Sequence, residues 1–326
     1  MLFTEDQQMI QQLARDFAES ELAPIAAEID QEERIPKEII EKMAEIGFTA
    51  LNVPEEYGGP GLDTVCKVLV VSELARQCAS TAEVIAVHTL VNDIFLKHGT
   101  EAQKQKYLTA AVEGKIGAFA LTEAGAGSDA AAAKTKAVVD GDDYVINGSK
   151  CFISNMGPTE GDYVVVIALT EPEKGVKGMS AIVVDRGTPG FTVGKREEKM
   201  GIRGADISEL IFEDCRVPRS NLVGKEGEGF KIAMMALDGG RIGIAAQALG
   251  ICEAAIAASV KYMGERVQFG KPIGKNQGLQ WYLADMATRT EAAKALILEA
   301  AVAADNGQPL SKLAAMCKYY ASENAV

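Results

Sequence analysis

The sequence predicts an α+β multidomain protein, helical at both ends and antiparallel β in between, and three observations carry that reading. From Glu5 to about Glu113 apolar residues recur at three- and four-residue intervals. From about Lys115 short β-branched runs broken by turn pairs take over. After Asn221 helical spacing returns in long Ala-rich segments. A chain of 326 residues can bury a large core and favours two or three structural regions over one. The expected division is residues 1–114, an N-terminal helical domain; 115–225, a middle β domain; and 226–326, a C-terminal helical bundle.

In the first region Leu13, Phe17 and Leu22, then Ile39, Met43 and Ile46, mark amphipathic helices. Ile35-Pro36 starts a helix, Gly47 follows its end, and Tyr57-Gly58-Gly59-Pro60-Gly61 is a loop. In the middle region Ala137–Val139, Tyr144–Ile146, Tyr163–Ile167 and Ala181–Val184 read as strands. Asp140-Gly141 and Asn147-Gly148 read as two hairpin turns, which predicts an antiparallel sheet. In the last region helices are expected from about Gly229 to Met263, from Asn276 to Asp305, and from Ser311 onward. That last segment keeps helical spacing at Leu313, Met316, Cys317 and Tyr320 up to Ala325-Val326, with no Gly, Pro or charged tail to close it. A bundle cut short is the expectation.

Composition excludes several classes. The net charge of −13 argues against a binder of phosphate backbones, so nucleic acid is not an expected partner. Cys66, Cys78, Cys151, Cys215, Cys252 and Cys317 lie far apart without metal-ligand spacing, which predicts reduced thiols. Only His88 and His98 are present, so neither a zinc centre nor a Ser-His-Asp triad is expected. The N-terminus lacks the basic and apolar stretches of a signal peptide, and a cytoplasmic protein is the simplest reading. Ile242 to Val260 approaches membrane-spanning length, but Gln247, Glu253 and its alanines predict a buried bundle helix.

Chemistry concentrates in Phe119-Ala120-Leu121-Thr122-Glu123-Ala124-Gly125-Ala126-Gly127-Ser128-Asp129, a strand end opening into a loop of small residues where backbone N–H groups can approach a ligand. As a bare pattern Gly125 to Ala130 satisfies the Rossmann fingerprint G-x-G-x-x-G/A. That fingerprint requires a helix and a parallel strand downstream. The hairpin signals that follow disfavour a nicotinamide-binding Rossmann domain.

In order along the chain, this loop is followed by Ser149-Lys150-Cys151-Phe152-Ile153-Ser154-Asn155, Lys199-Met200-Gly201-Ile202-Arg203-Gly204 and Phe212-Glu213-Asp214-Cys215-Arg216-Val217-Pro218. Leu237-Asp238-Gly239-Gly240-Arg241 and Glu265-Arg266-Val267-Gln268-Phe269-Gly270-Lys271-Pro272 complete the set. Each motif is weak alone, but the ordered set resembles the acyl-CoA dehydrogenase family over essentially the whole chain, most closely its short-chain members. The resemblance implies a helical domain, an antiparallel β-barrel and an incomplete helical bundle. It also implies bound FAD, an acyl-CoA substrate, a homotetramer, and electron exchange with an electron-transfer flavoprotein.

By the same resemblance Phe119, Leu121, Thr122, Gly127 and Ser128 contact the flavin, flanked by Phe152, Ile153 and Ser154. Arg266, Gln268, Phe269, Asn276 and Gln277 match positions that reach the cofactor's dinucleotide portion from a neighbouring subunit. An arginine fork suits pyrophosphate oxygens. Ser128, Asp238 and Arg241 match positions that contact acyl-CoA, although an Asp238–Arg241 ion pair at i,i+3 competes with that role. Chain length would depend on residues near His88 to Phe95.

The implied reaction removes an α-proton with a carboxylate while a β-hydride passes to the flavin. The family's usual Tyr-Glu-Gly segment has no counterpart here, and the alternative position before Arg241 is Gly240. The base is therefore expected beyond Val326, and Glu123 is not taken as its replacement. Other readings are the reverse enoyl-CoA reduction, an acyl-CoA oxidase or flavin monooxygenase of this fold, and a non-catalytic acyl-CoA or flavin binder.

Overall fold

A computed structural model describes residues 3–157 and 161–326. In chain order the helices α1 (Glu5–Phe17), α2 (Ala26–Gln31), α3 (Lys37–Glu45), α4 (Thr64–Gln77), α5 (Ala79–His98) and α6 (Glu101–Val112) come first. They lead into strands β1 (Gly117–Ala120), β2 (Lys136–Asp140), β3 (Asp143–Ser154), β4 (Tyr163–Leu169), β5 (Met179–Asp185), β6 (Phe191–Arg196), β7 (Ile207–Pro218) and β8 (Leu222–Val223). The chain then forms α7 (Gly229–Glu265), a short hairpin of β9 (Val267–Gln268) and β10 (Lys271–Pro272), α8 (Gln277–Asp305) and α9 (Ser311–Ala325). The helical, β, helical order read from periodicity is what is found.

Local signals explain the boundaries. Thr4 and Thr100 each form a capping box with a glutamine three residues on, fixing the starts of α1 and α6. The α3 helix ends before Gly47, whose φ of 80° suits a residue without a side chain.

The middle sheet differs from the expected antiparallel barrel. Its strand order is β6-β7-β3-β2-β4-β5-β8, and β1 pairs with β4. The β1–β4 pairing is parallel, as is the short β2–β4 pairing at Lys136 and Leu169, so the sheet is mixed and does not close on itself. The β2–β3 excursion separates β1 from β4 in sequence, and turn signals report only local hairpins. Asp140-Gly141 is such a turn, with Asp140 opposite Asp143. Asn147-Gly148 is not a turn; it lies inside β3, where the register against β7 shifts between Ile146 and Gly148. Asn147 there holds Asp214, accepting from its backbone N–H at 2.9 Å and donating to its carboxylate at 3.1 Å.

Contacts gather the chain into two units. One comprises Glu28–Leu62 and Val84–Leu237. Strand alternation explains its two cores. Tyr163, Val165 and Ile167 of β4 turn to one face, packing with Phe95, Tyr107 and Leu108 from helices. Val164, Val166 and Ala168 turn to the other, packing with Tyr144, Ile146, Leu210 and Phe212 of the sheet. Phe95 stacks on Tyr107 with ring centroids 4.6 Å apart, which ties α5 to α6.

The other unit comprises the residues up to Ala27, Asp63–Glu83 and Asp238–Val326. It is a helical bundle with Ile242, Ala245, Ala246, Leu249 and Cys252 of α7 buried. Gly250 lets α7 approach α4 closely: a Cβ there would stand 2.2 Å from the Ser72 carbonyl oxygen. The long apolar α7 is thus a packed helix along that stretch. Glu73, buried on α4, accepts hydrogen bonds from Arg15 at 2.7 Å, Gln11 at 2.8 Å and Arg76 at 2.9 Å, so its charge is fully partnered.

Candidate functional site

The loop singled out in the sequence leaves the end of β1 and returns as β2. Leu121 and Ala126 are buried and anchor it, while Ala124, Gly125, Gly127, Ser128 and Asp129 are exposed. Glu123 and Ala126 exchange backbone hydrogen bonds at 3.2 and 3.0 Å, forming a tight turn. The N–H groups of Gly127 and Ser128, and the hydroxyls of Thr122 and Ser128, bond to nothing else among the described residues. An added Cβ at Gly125 or Gly127 would meet no atom within 4 Å. The loop therefore offers donors and hydroxyls at an open surface, suited to carbonyl or phosphate oxygens.

Strand β3 lies beside it, its Cys151 N–H donating to the Thr122 carbonyl at 3.0 Å. Strict alternation along β3 would bury residue 152 together with residue 150. A second register shift, between Lys150 and Ile153, breaks it. Lys150 is fully buried, whereas Phe152 has φ 58° and is 62% exposed. A bulky residue held left-handed and facing water is what a ligand-facing position, not a core position, looks like. Ile153 is buried in the sheet core, so its side chain packs there. Asn155, also left-handed at φ 65°, donates from Nδ2 to the Val84 carbonyl at 3.0 Å and from its backbone N–H to the Asp206 carbonyl at 3.1 Å, fixing the end of the strand.

Glu123 is committed elsewhere. It accepts from Lys150 Nζ at 2.8 Å and from the backbone N–H groups of Lys134 at 2.7 Å and Thr135 at 3.0 Å. Burial alone would raise its pKa, but the Lys150 hydrogen bond and these N–H donors hold it below the usual carboxylate range. Neither Glu123 nor Lys150 stood among the expected site residues; their spacing in sequence gives no sign that they meet.

The remaining expected residues lie in the helical unit. Arg266, Gln268, Asn276 and Gln277 are exposed around the β9–β10 hairpin and the start of α8. Phe269 and Gly270 form its two-residue turn with φ 53° and 74°, and Phe269 is almost fully exposed. Asp238 forms an ion pair with Arg241 and also accepts from the Ser311 hydroxyl. The competing structural role of that pair is thus present, with Asp238 tying α7 to α9.

The chain is thus helical, mixed-sheet and helical in order, with a donor-rich loop beside an exposed aromatic. The chain matches the acyl-CoA dehydrogenase N-terminal domain over residues 4–115, the middle domain over 118–215 and the C-terminal domain over 227–326. It is 56% identical to the acryloyl-CoA reductase (NADH) of Anaerotignum propionicum, covering 99% of this chain and 82% of that protein. Against the short-chain specific acyl-CoA dehydrogenase of Clostridium acetobutylicum the identity is 48%, covering 99% and 85%. The butyryl-CoA dehydrogenase structure from Megasphaera elsdenii superposes with a TM-score of 0.97 at 45% identity, covering 99% and 86%. A chain from a structural study of the electron transferring flavoprotein of Acidaminococcus fermentans gives a TM-score of 0.97 at 50% identity, covering 99% and 85%. The protein belongs to the acyl-CoA dehydrogenase family.

Proposed function

We propose that the protein is a FAD-dependent oxidoreductase acting between the α and β carbons of a short-chain acyl-CoA thioester. The observation that carries this reading is the open loop of Thr122, Gly127 and Ser128 beside the outward-turned Phe152, whose donors suit the cofactor's carbonyl and phosphate oxygens. Bound FAD would supply the hydride acceptor for the β carbon.

The chain's own residues hold and orient. Thr122 and Ser128 would hydrogen-bond the ring system and pyrophosphate, and Phe152 with the backbone at Ile153 and Ser154 would flank the ring. Phe119 and Leu121 place the loop, the first in β1 and the second buried just after it. Arg266, Gln268, Phe269, Asn276 and Gln277 would serve a neighbouring subunit's cofactor, which fits their exposure. Ser128 would contact acyl-CoA, and Asp238 and Arg241 its CoA portion. On this reading the domains follow residues 1–114, 115–225 and 226–326, and the working assembly is a homotetramer exchanging electrons with an electron-transfer flavoprotein.

No carboxylate of this chain is assigned the α-proton. Glu123 is held by three donors, and Gly240 carries no side-chain acid. The base is proposed to be a glutamate beyond Val326. The 56% identity to a protein named for reduction favours, as a second reading, the same chemistry run towards the saturated thioester.

Anaerobic titration with butyryl-CoA tests the proposal, comparing this chain with one extended by the family's C-terminal segment. Bleaching of the bound flavin in the extended protein alone is expected. A protein that takes up FAD but bleaches in neither form sinks the thioester chemistry. Faster reoxidation of reduced flavin by acryloyl-CoA than bleaching by propionyl-CoA selects the reductive direction.

A further inference from the structure

Glu123 and Lys150 stand 27 residues apart and form a buried ion pair at 2.8 Å, with side-chain exposures of 11% and 0%. Each member binds a different part of the loop. Lys150 Nζ also donates to the Leu121 carbonyl at 2.9 Å, at the point where β1 ends. The Glu123 carboxylate receives the N–H groups of Lys134 and Thr135, where the loop returns as β2. Between those two ends run Ala124 to Asp129, all exposed but for the buried Ala126. The loop's own regular structure is confined to the Glu123–Ala126 bridge and the short helical turn Ala130–Ala132.

A buried lysine needs its charge partnered, and a buried carboxylate needs donors. Here each need is met by an atom of the loop. Hydrophobic packing holds the loop through Leu121, Ala126 and Ala133, with Ala130 partly buried against the same core. The ionic pair closes it at both ends and ties it to β3 two residues before Phe152.

We infer that Lys150 and Glu123 are positioning residues, a buried clamp that presets the Thr122–Ser128 loop in the shape that receives the flavin. The inference rests on the FAD reading for its ligand but not for the clamp itself. Preorganisation of this kind acts by removing the cost of ordering the loop when the ligand binds.

The test combines amide hydrogen exchange without flavin, FAD titration by fluorescence quenching, and the variants Glu123→Gln, Lys150→Met and the double Glu123→Leu/Lys150→Met. In the single variants, exchange at the hydrogen-bonded N–H groups of Ala126 and Ala132 to Thr135 is expected to quicken about tenfold and the FAD Kd to rise about tenfold, as loss of a charged hydrogen bond predicts. Exchange at Val164–Ile167 in the sheet core is expected to stay at the wild-type level. The double variant, which replaces the pair by apolar groups of similar size, should keep core protection without recovering loop protection or FAD affinity.

Wild-type loop exchange in Glu123→Gln overturns the inference. So does full recovery of loop protection in the double variant, because the pair would then be replaceable filler. Loss of core protection in every variant overturns it too, since the pair would be holding the domain, not the loop. If the wild-type chain binds no FAD, the flavin reading fails on that arm alone, while loop exchange still decides the clamp.

Discussion

The imidazole Nδ1 of His88, buried on α5, accepts a hydrogen bond from the Gly117 N–H at the start of β1 at 2.9 Å. The ring's other nitrogen lies 3.5 Å from Asn92 Nδ2. This is a structural histidine, and it joins a helix to the strand that delivers the candidate flavin loop.

Burial lowers the His88 pKa to about 4, outweighing its backbone contact to Thr49 and the Asp162 charge. A histidine whose folded pKa lies below its unfolded value contributes no penalty above about pH 6.5. As pH falls below that value the unfolded state takes up the proton first, so stability drops until the folded pKa is reached. The wild-type Tm is expected to fall between pH 6.5 and about 4. His88→Gln, which keeps an acceptor for Gly117, should show a shallower fall over the same range. Parallel Tm curves for the two proteins would remove His88 as a source of acid sensitivity.

Where the sequence was legible, the reason is locality. Leu13 and Phe17, or Tyr163 to Ile167, carry their periodicity within one element, and Asp140-Gly141 closes a hairpin between adjacent strands. What escaped depends on partners far along the chain. The bulge that turns Phe152 outward exists because β3 pairs with β7, some fifty residues on. Asn147-Gly148 has the composition of a turn yet sits inside β3 for the same reason. The parallel β1–β4 pairing and the meeting of Glu123 with Lys150 are likewise non-local. Asp238 and Arg241 were legible as a pair and as a ligand site, and the geometry supplies the pair.

Gly148 tests the bulge. Its φ is 144°, and an added Cβ would lie 2.8 Å from Thr135 Cα and 2.6 Å from Thr135 Oγ1. Backbone cannot yield as a flexible side chain can. Gly148→Ala is expected to cost about 2–4 kcal/mol in urea unfolding, combining left-handed strain with a clash. Because Thr135 N–H also meets Glu123, loop exchange at Lys134 and Thr135 should rise with it. A variant within about 0.5 kcal/mol of wild type would mean that β3 can shift register freely there.

Arg241 separates the two roles of its ion pair. Its side chain is 42% exposed, so the bond to Asp238 adds little stability in water. Arg241→Ala should therefore leave the Tm within about 2 °C of wild type. If the guanidinium meets the CoA portion, the dissociation constant for butyryl-CoA rises about tenfold, the loss of one charged hydrogen bond. Unchanged affinity would confine the pair to joining α7 with α9 through Asp238 and Ser311.

Phe269 offers the cleanest contrast between stability and function. A two-residue turn with both residues left-handed favours Asn-Gly, because a side chain such as Phe is strained there. This chain nevertheless places an exposed aromatic at φ 53°, with the permissive glycine second. Nothing among the described residues packs against that ring closely enough to bury it, so its retention points to a ligand or a neighbouring subunit. Phe269→Asn is expected to raise flavin-free stability by about 0.5–1 kcal/mol in urea unfolding, through relief of strain. The same substitution should weaken FAD binding, since the aromatic face would no longer be available to the cofactor's dinucleotide portion. Gain of stability with loss of FAD affinity marks a residue kept for binding. Gain of stability with full FAD affinity would take Phe269 out of the cofactor site and leave the subunit contact as its role.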